Sequence, residues 1–231
     1  MRRALPLLLV ACLIAAPLYA QQPSVPVSDS EVVQGDPAQP NVALVFNVGA
    51  GFEPATSILD TLAERDQRLT FFVMGWWAER HPDLLQAIAD RGHEIASHGH
   101  RIFDLTLASD AEVQSDLETA DTAISAVTGR TTRPLWSPSA GYRDARVRSI
   151  AASLGYRPIL WTIDSGDWTT EATPESVYSH VINGARNGAI VVLHFDSPNT
   201  LFSTALVLPR LIDALRESGF RLVTITELLT Q

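Results

Sequence analysis

The chain contains one cysteine, Cys12, and no lysine, so all 17 of its basic residues are arginine. A single cysteine excludes an internal disulfide and a cysteine-built metal cluster, and the folded part must be stabilised by core packing. The arginines are scattered among 26 carboxylates, giving a net charge of −9. Without a basic cluster, nucleic acid is excluded as an expected partner. There is no low-complexity tract and no repeat with a period of about 20 to 50 residues, which excludes a solenoid. A long hydrophobic run is also missing. The apolar stretch Ala4–Ala16 follows Arg2 and Arg3 and precedes Pro17, with a possible cleavage after Ala20. It is too short to span a bilayer comfortably and reads as a secretory signal peptide, implying export and no transmembrane segment in the mature chain. Leu9-Val10-Ala11-Cys12 also matches the box before a lipidated cysteine, so a lipoprotein anchored through Cys12 is the second expectation.

What is present is alternation. Residues 1–20 read as signal peptide, 21–40 as a Gln/Pro/Ser-rich flexible leader, and 41–231 as one domain. Within that domain, strand patterns at 42–48, 69–74, 93–98, 134–139, 157–163, 188–195 and 220–226 alternate with helical patterns at 54–65, 78–91, 109–128, 144–154, 174–184 and 204–218. Punctuation agrees: Ser109 with Glu112 forms a capping-box pattern, Pro174 opens a helix, and Gly92, Gly129, Gly155 and Gly219 sit at helix stops. Strict alternation implies an α/β fold with a parallel sheet and helical crossovers, either an open sheet or a barrel. In both, ligands bind where strands end and helices have not begun.

Those strand ends carry Asn47 and Val48 before the glycines Gly49 and Gly51; Trp76 and Trp77; Ser97-His98-Gly99-His100-Arg101-Ile102-Phe103-Asp104; Trp136-Ser137; Asp164-Ser165-Gly166-Asp167-Trp168; and His194-Phe195-Asp196. A carboxylate beside an imidazole, as in Asp167 with His194, orients the ring and raises its basicity. Trp76, Trp77, Trp136 and Trp168 are candidate platforms for sugar rings, whereas Trp161, inside a strand pattern, is assigned to the core. His100, two residues from His98, is expected to face away from it. Asp104 is expected to order its loop, and Asp164 and Asp196 to be solvated or capping. His81, His93 and His180 read as scaffold.

The segments "VALVFNVGAGFEP", "TFFVMG", "HPDLLQAIADRGHEIASHGH", "LWTIDSGDW" and "IVVLHF", in this order, resemble the NodB-homology domain of polysaccharide deacetylases over nearly all of residues 41–229. The resemblance implies a distorted (β/α) barrel of about seven parallel strands with outer helices. It implies hydrolysis of the N-acetyl group of a carbohydrate, using a divalent metal such as zinc held by one Asp and two His. Carried over residue by residue, Asn47 stands at the catalytic-base position and Val48 and Ile102 at two metal-ligand positions, leaving His98 as the one ligand. Ser137 stands where an arginine steadies the base. Asp167, Trp168 and the general-acid position His194 are kept. Valine and isoleucine offer no lone pair, and an amide takes no proton near neutral pH. One imidazole alone holds a metal at about millimolar strength, or about −4 kcal/mol. The expected molecule is therefore an exported deacetylase-like protein acting on envelope or other glycans, with lost or reduced activity and no bound cofactor. The alternative is a non-catalytic domain that binds a glycan or oligosaccharide.

Overall fold

The computed structural model describes residues 25–195 and 197–231. The expected signal segment, Cys12 and Asp196 lie outside the described residues. Eight parallel strands occur among them: β1 (Asn41–Val48), β2 (Thr70–Val73), β3 (Glu94–Ser97), β4 (Leu135–Trp136), β5 (Arg157–Pro158), β6 (Ile163–Asp164), β7 (Ile190–His194) and β8 (Arg221–Leu222). Hydrogen bonding orders them β5-β4-β3-β2-β1-β7-β6, with β8 pairing the first two residues of β1. The helices are α1 (Ala55–Glu64), α2 (Gly75–Arg80), α3 (Pro82–Asp90), α4 (Asp110–Thr128), α5 (Ala145–Ser153), α6 (Pro174–Gly184), α7 (Thr204–Glu217) and α8 (Ile225–Thr230). The sheet curls into an incomplete (β/α) barrel with helices around it.

β1 is buried along its whole length, with both of its faces covered, as in the centre of a parallel sheet. Val42, Leu44 and Phe46 pack outward against α1 and α7 through Ile58, Leu62, Leu208, Leu211 and Ile212. Ala43 and Val45 face the other way, into an inner cluster with Phe72, Ala96 and Val192. The period of two therefore divides one strand between two cores, and Asn47 continues the inner register.

The flexible leader expected at 21–40 is not what residues 25–40 form. β5 and β6 end the strand order without pairing each other, and the segment 31–35 fills this seam. Val32 bridges Ile159 in parallel and Gln34 bridges Ala189 in antiparallel fashion. Val25 and Val32 are buried in the inner cluster beside Ile225 and Leu228 of α8, and Glu31 pairs with Arg143 at 2.9 Å and Arg148 at 3.4 Å. Polar composition hid a few apolar side chains placed to close the barrel.

Three element boundaries also differ. The pattern at 78–91 splits into α2 and α3 at Pro82, which lacks the N–H needed to continue a helix. The pattern at 157–163 breaks into β5 and β6 with Trp161 in the gap. The pattern at 220–226 yields the short β8 and then α8, opened by a capping box between Thr224 and Glu227. The predicted box at Ser109 and Glu112 is present, and Gly129 closes the same helix with φ of 68°.

His93, just before β3, is 7% exposed; its Nδ1 accepts the Leu69 N–H at 3.3 Å, and its ring centroid lies 4.9 Å from that of Phe71. Burial, helped by the positive charges of Arg91 and Arg68, lowers its pKa from 6.5 to about 4. The folded chain thus refuses a proton that the unfolded chain binds. The stability this confers is complete above the unfolded value and is lost as pH falls towards about 4, on the order of 3 kcal/mol in all. Urea unfolding at pH 7 and pH 4.5 should show a larger loss for the wild type than for His93→Gln. Equal losses would contradict the neutral, buried ring.

Candidate functional site

At the C-terminal ends of the strands lies a cavity of about 440 Å³, within the range of small-molecule sites. β1 contributes Asn47 and Val48, β2 is followed by Met74, the β3 loop gives His98 and Ile102, and the β4 loop gives Ser139 and Ala140. From the other side come Trp161, Asp164 and Trp168 around β6, and His194 and Ser197 at the end of β7. Gly49 allows the close approach of β1 to Met74, since a Cβ there would collide with the Met74 Sδ.

The firmest part of the site is a buried carboxylate. Asp167 has no exposed surface. Its Oδ1 accepts the His194 Nδ1–H at 2.7 Å, and its Oδ2 accepts the His194 backbone N–H at 2.8 Å and the Thr204 hydroxyl at 2.6 Å. The turn that delivers it passes through Gly166 at φ +71°, where a side chain would press on His180. Because a carboxylate can only accept, His194 carries its proton on Nδ1, which makes Nε2 the basic nitrogen. The sequence-level pairing of Asp167 with His194 is thus met in the structure.

His98 is buried at the opposite wall, its Nδ1–H donating to the Ser137 carbonyl at 2.7 Å. Burial, with the nearby His194, lowers its pKa from 6.5 to about 4 against the favourable carbonyl contact, so the ring is neutral at pH 7 with its lone pair on Nε2. That lone pair suits a metal, but its surroundings do not. Val48 is fully buried hydrocarbon, Ile102 is an exposed aliphatic at the rim, and Asn47 is a neutral amide. Among the described residues no group of three or more His, Cys, Asp or Glu side chains could hold a metal ion. The donor set does not fit a tightly held divalent cation.

Asn47 is 5% exposed and its Oδ1 has no hydrogen-bond partner among the described residues. A buried acceptor left unpaired costs about 1–3 kcal/mol. His100 behaves as expected: its backbone N–H is held by Asp116 Oδ2 at 2.9 Å, and its ring lies outside the cavity. Asp104 orders its loop by accepting from the backbone and hydroxyl of Thr106.

The tryptophans divide differently from the sequence expectation. Trp77 and Trp136 are fully buried in separate core clusters. Trp77 donates its Nε1–H to the Gly51 carbonyl at 2.7 Å, so it supports the loop after β1 rather than meeting a ligand. Trp76 packs on the outer core with Arg80 5.4 Å from its ring, and it does not line the cavity. Trp168 does line it, 55% exposed, with its Nε1–H directed to Asp164 Oδ1 at 3.3 Å. Asp164 caps its turn, as expected, by accepting the Gly166 backbone N–H at 2.9 Å, and the same oxygen orients the Trp168 ring. Trp161, read as core, is a lining residue because the strand breaks there. Met74 and Trp161 carried no sequence signal of this role; the break was hidden inside an unbroken β pattern.

The family model for polysaccharide deacetylases matches residues 34–159. The uncharacterized protein YlxY of Bacillus subtilis is 30% identical over 220 residues, covering 93% of this chain and 66% of its own. The peptidoglycan-N-acetylglucosamine deacetylase of Bacillus cereus is 30% identical over 197 residues, 81% of this chain and 87% of its own. Among solved structures, BA3943 from Bacillus anthracis, described as a CE4 family pseudoenzyme, superposes with a TM-score of 0.81 at 28% identity, over 87% of this chain and 69% of its own. A BA3943 mutant described as having restored enzymatic activity gives the same TM-score of 0.81 at 27% identity, over 87% and 71%.

Removing the Asp167 carboxylate leaves three donors without an acceptor. Asp167→Ala should lower unfolding stability by roughly 3 kcal/mol or more, and Thr204→Val by roughly 1–2 kcal/mol. The double variant should lose less than the sum, because both remove the same hydrogen bond. Chemical denaturation measures this directly, and a loss below about 1 kcal/mol for Asp167→Ala would contradict the buried, triply bonded carboxylate.

Proposed function

The chain belongs to the polysaccharide deacetylase family, and on that premise we propose that it is an exported glycan-binding member in which metal-dependent de-N-acetylation is lost or much reduced. The observation that carries the reading is one cavity lined by His194, which the buried Asp167 holds from behind, together with Asn47, Val48 and Ile102. Amide hydrolysis requires a polarised carbonyl, a base that takes a proton from water, and an acid that protonates the leaving nitrogen. His194, steadied through Nδ1 by Asp167, fits the acid. Asn47 is no base, and His98 is a single donor where the family's reaction calls on three ligands.

What remains suits binding. Trp161 and Trp168 offer ring faces to a sugar, and Asp164 and His194 offer hydrogen bonds to hydroxyl groups. The BA3943 pair of structures supports the idea that the same scaffold exists in forms without activity and with activity regained. Export rests on Arg2, Arg3 and the apolar run Ala4–Ala16, with Cys12 as a possible lipid attachment. Among the described residues, no helix is long and apolar enough to cross a membrane.

Acetate release from N-acetylated chitooligosaccharides, with zinc supplied, separates the outcomes. The wild type should release none above background. The triple variant Asn47→Asp, Val48→Asp, Ile102→His should gain zinc-dependent release that His194→Ala abolishes. Zinc-dependent release by the wild type as fast as that of the triple variant would overturn the proposal.

A further inference from the structure

The segment 31–35 does more than cover the edge of β5, because it also reaches the wall of the cavity. Trp161, a lining residue, lies in the gap between β5 and β6. Its neighbours are pinned from opposite sides. Val32 accepts the Leu160 N–H at 2.8 Å and donates its own N–H to the Pro158 carbonyl at 2.9 Å, while Thr162 donates its N–H to the Ile190 carbonyl of β7 at 2.9 Å. A backbone anchor of Trp161 therefore comes from outside the alternation of strands and helices.

Glu31 acts beside it. Its carboxylate accepts from Arg143 Nε at 2.9 Å and Nη2 at 3.3 Å, and Arg143 Nη1 donates to the Gly141 carbonyl at 3.2 Å. This fork ends on the β4 loop, whose Ser139 and Ala140 line the cavity. The loop turns through Ala140 at φ 51° and Gly141 at φ 73°. The left-handed region is costly for an L-residue such as alanine, so the turn needs holding from outside. The ring of Trp161 lies against this turn: a Cβ on Gly141 would stand 3.5 Å from the Trp161 Cη2. An Arg–carboxylate fork fixes direction as well as distance, which is what the placing of a ring face requires.

Resting on the glycan-binding reading, we propose that Glu31 is a positioning residue of the cavity: by holding Arg143 it seats the β4 loop against Trp161 and sets the ring face offered to a sugar. Glu31 does not itself line the cavity, and no bond is made or broken. Its other partner, Arg148 Nη1 at 3.4 Å, belongs to α5, does not line the cavity, and provides an internal control.

The test first reads Trp161 without a ligand. In protein labelled with 5-fluorotryptophan, Trp161→Phe assigns the Trp161 fluorine resonance among the five tryptophans. Glu31→Ala should shift that resonance and leave those of the buried Trp77 and Trp136 in place. Arg143→Ala, which leaves Glu31 its contact with Arg148, should do the same, and Arg148→Gln should shift none of the three. Triacetylchitotriose is then titrated by calorimetry. Glu31→Ala should weaken its binding roughly fivefold, the order of one aromatic contact, and have no further effect in a Trp161→Ala background. A Trp161 resonance unmoved by both Glu31→Ala and Arg143→Ala would overturn the proposal, as would an equal loss of affinity with and without Trp161. No binding by the wild type, with the resonance shifted as expected, would overturn the glycan-binding reading alone.

Discussion

A carboxylate with no exposed surface survives only if its acceptor capacity is filled, and the arrangement of the upper barrel follows from how Asp167 is satisfied. Its donors come from β7, through both the backbone and the ring of His194, and from the first turn of α7, through Thr204. One side chain from the β6 loop thereby ties that loop to β7 and α7. Three charge-assisted hydrogen bonds are stronger than their neutral counterparts. The carboxylate also fixes which nitrogen of His194 carries the proton. The geometry of the pair is accordingly explained by structure as fully as by catalysis, and it would persist in a protein that no longer hydrolyses anything.

The opposite wall has no such constraint. Val48 is fully buried at the end of β1 and Ile102 is an exposed residue of the loop after β3, and nothing in their surroundings requires a charged side chain. His98 keeps its ring because the Ser137 carbonyl anchors it in a buried position. Asn47 keeps a polar group in the floor but leaves its oxygen unpaired.

Much of this was legible before any coordinates. The alternation of β1, α1, β2 and β3, the capping box of α4 and the helix start at Pro174 are local signals, and each element formed where its residues indicated. Asp167 and His194 were legible because both lie at strand ends. The failures share a cause: they depend on what lies beside a segment in space. Residues 31–35 look like a polar leader until the unpaired edge of β5 is seen to need a partner. Trp77 and Trp136 lie at strand ends in the sequence, like Trp168, but Trp77 is carried by α2 and Trp136 is the last residue of β4, and both rings are buried in the core. Trp161 reaches the cavity because the chain breaks between β5 and β6, and nothing in the alternation of its neighbours marks that break.

The central claim is that the residues around the cavity do not assemble a metal site. Its most direct test is zinc content together with a calorimetric zinc titration of the purified wild-type protein. The expected result is far less than one zinc per chain and no saturable heat at micromolar zinc, as one imidazole alone predicts. A stoichiometric zinc ion bound at micromolar affinity or tighter, and lost in His98→Ala, would contradict it.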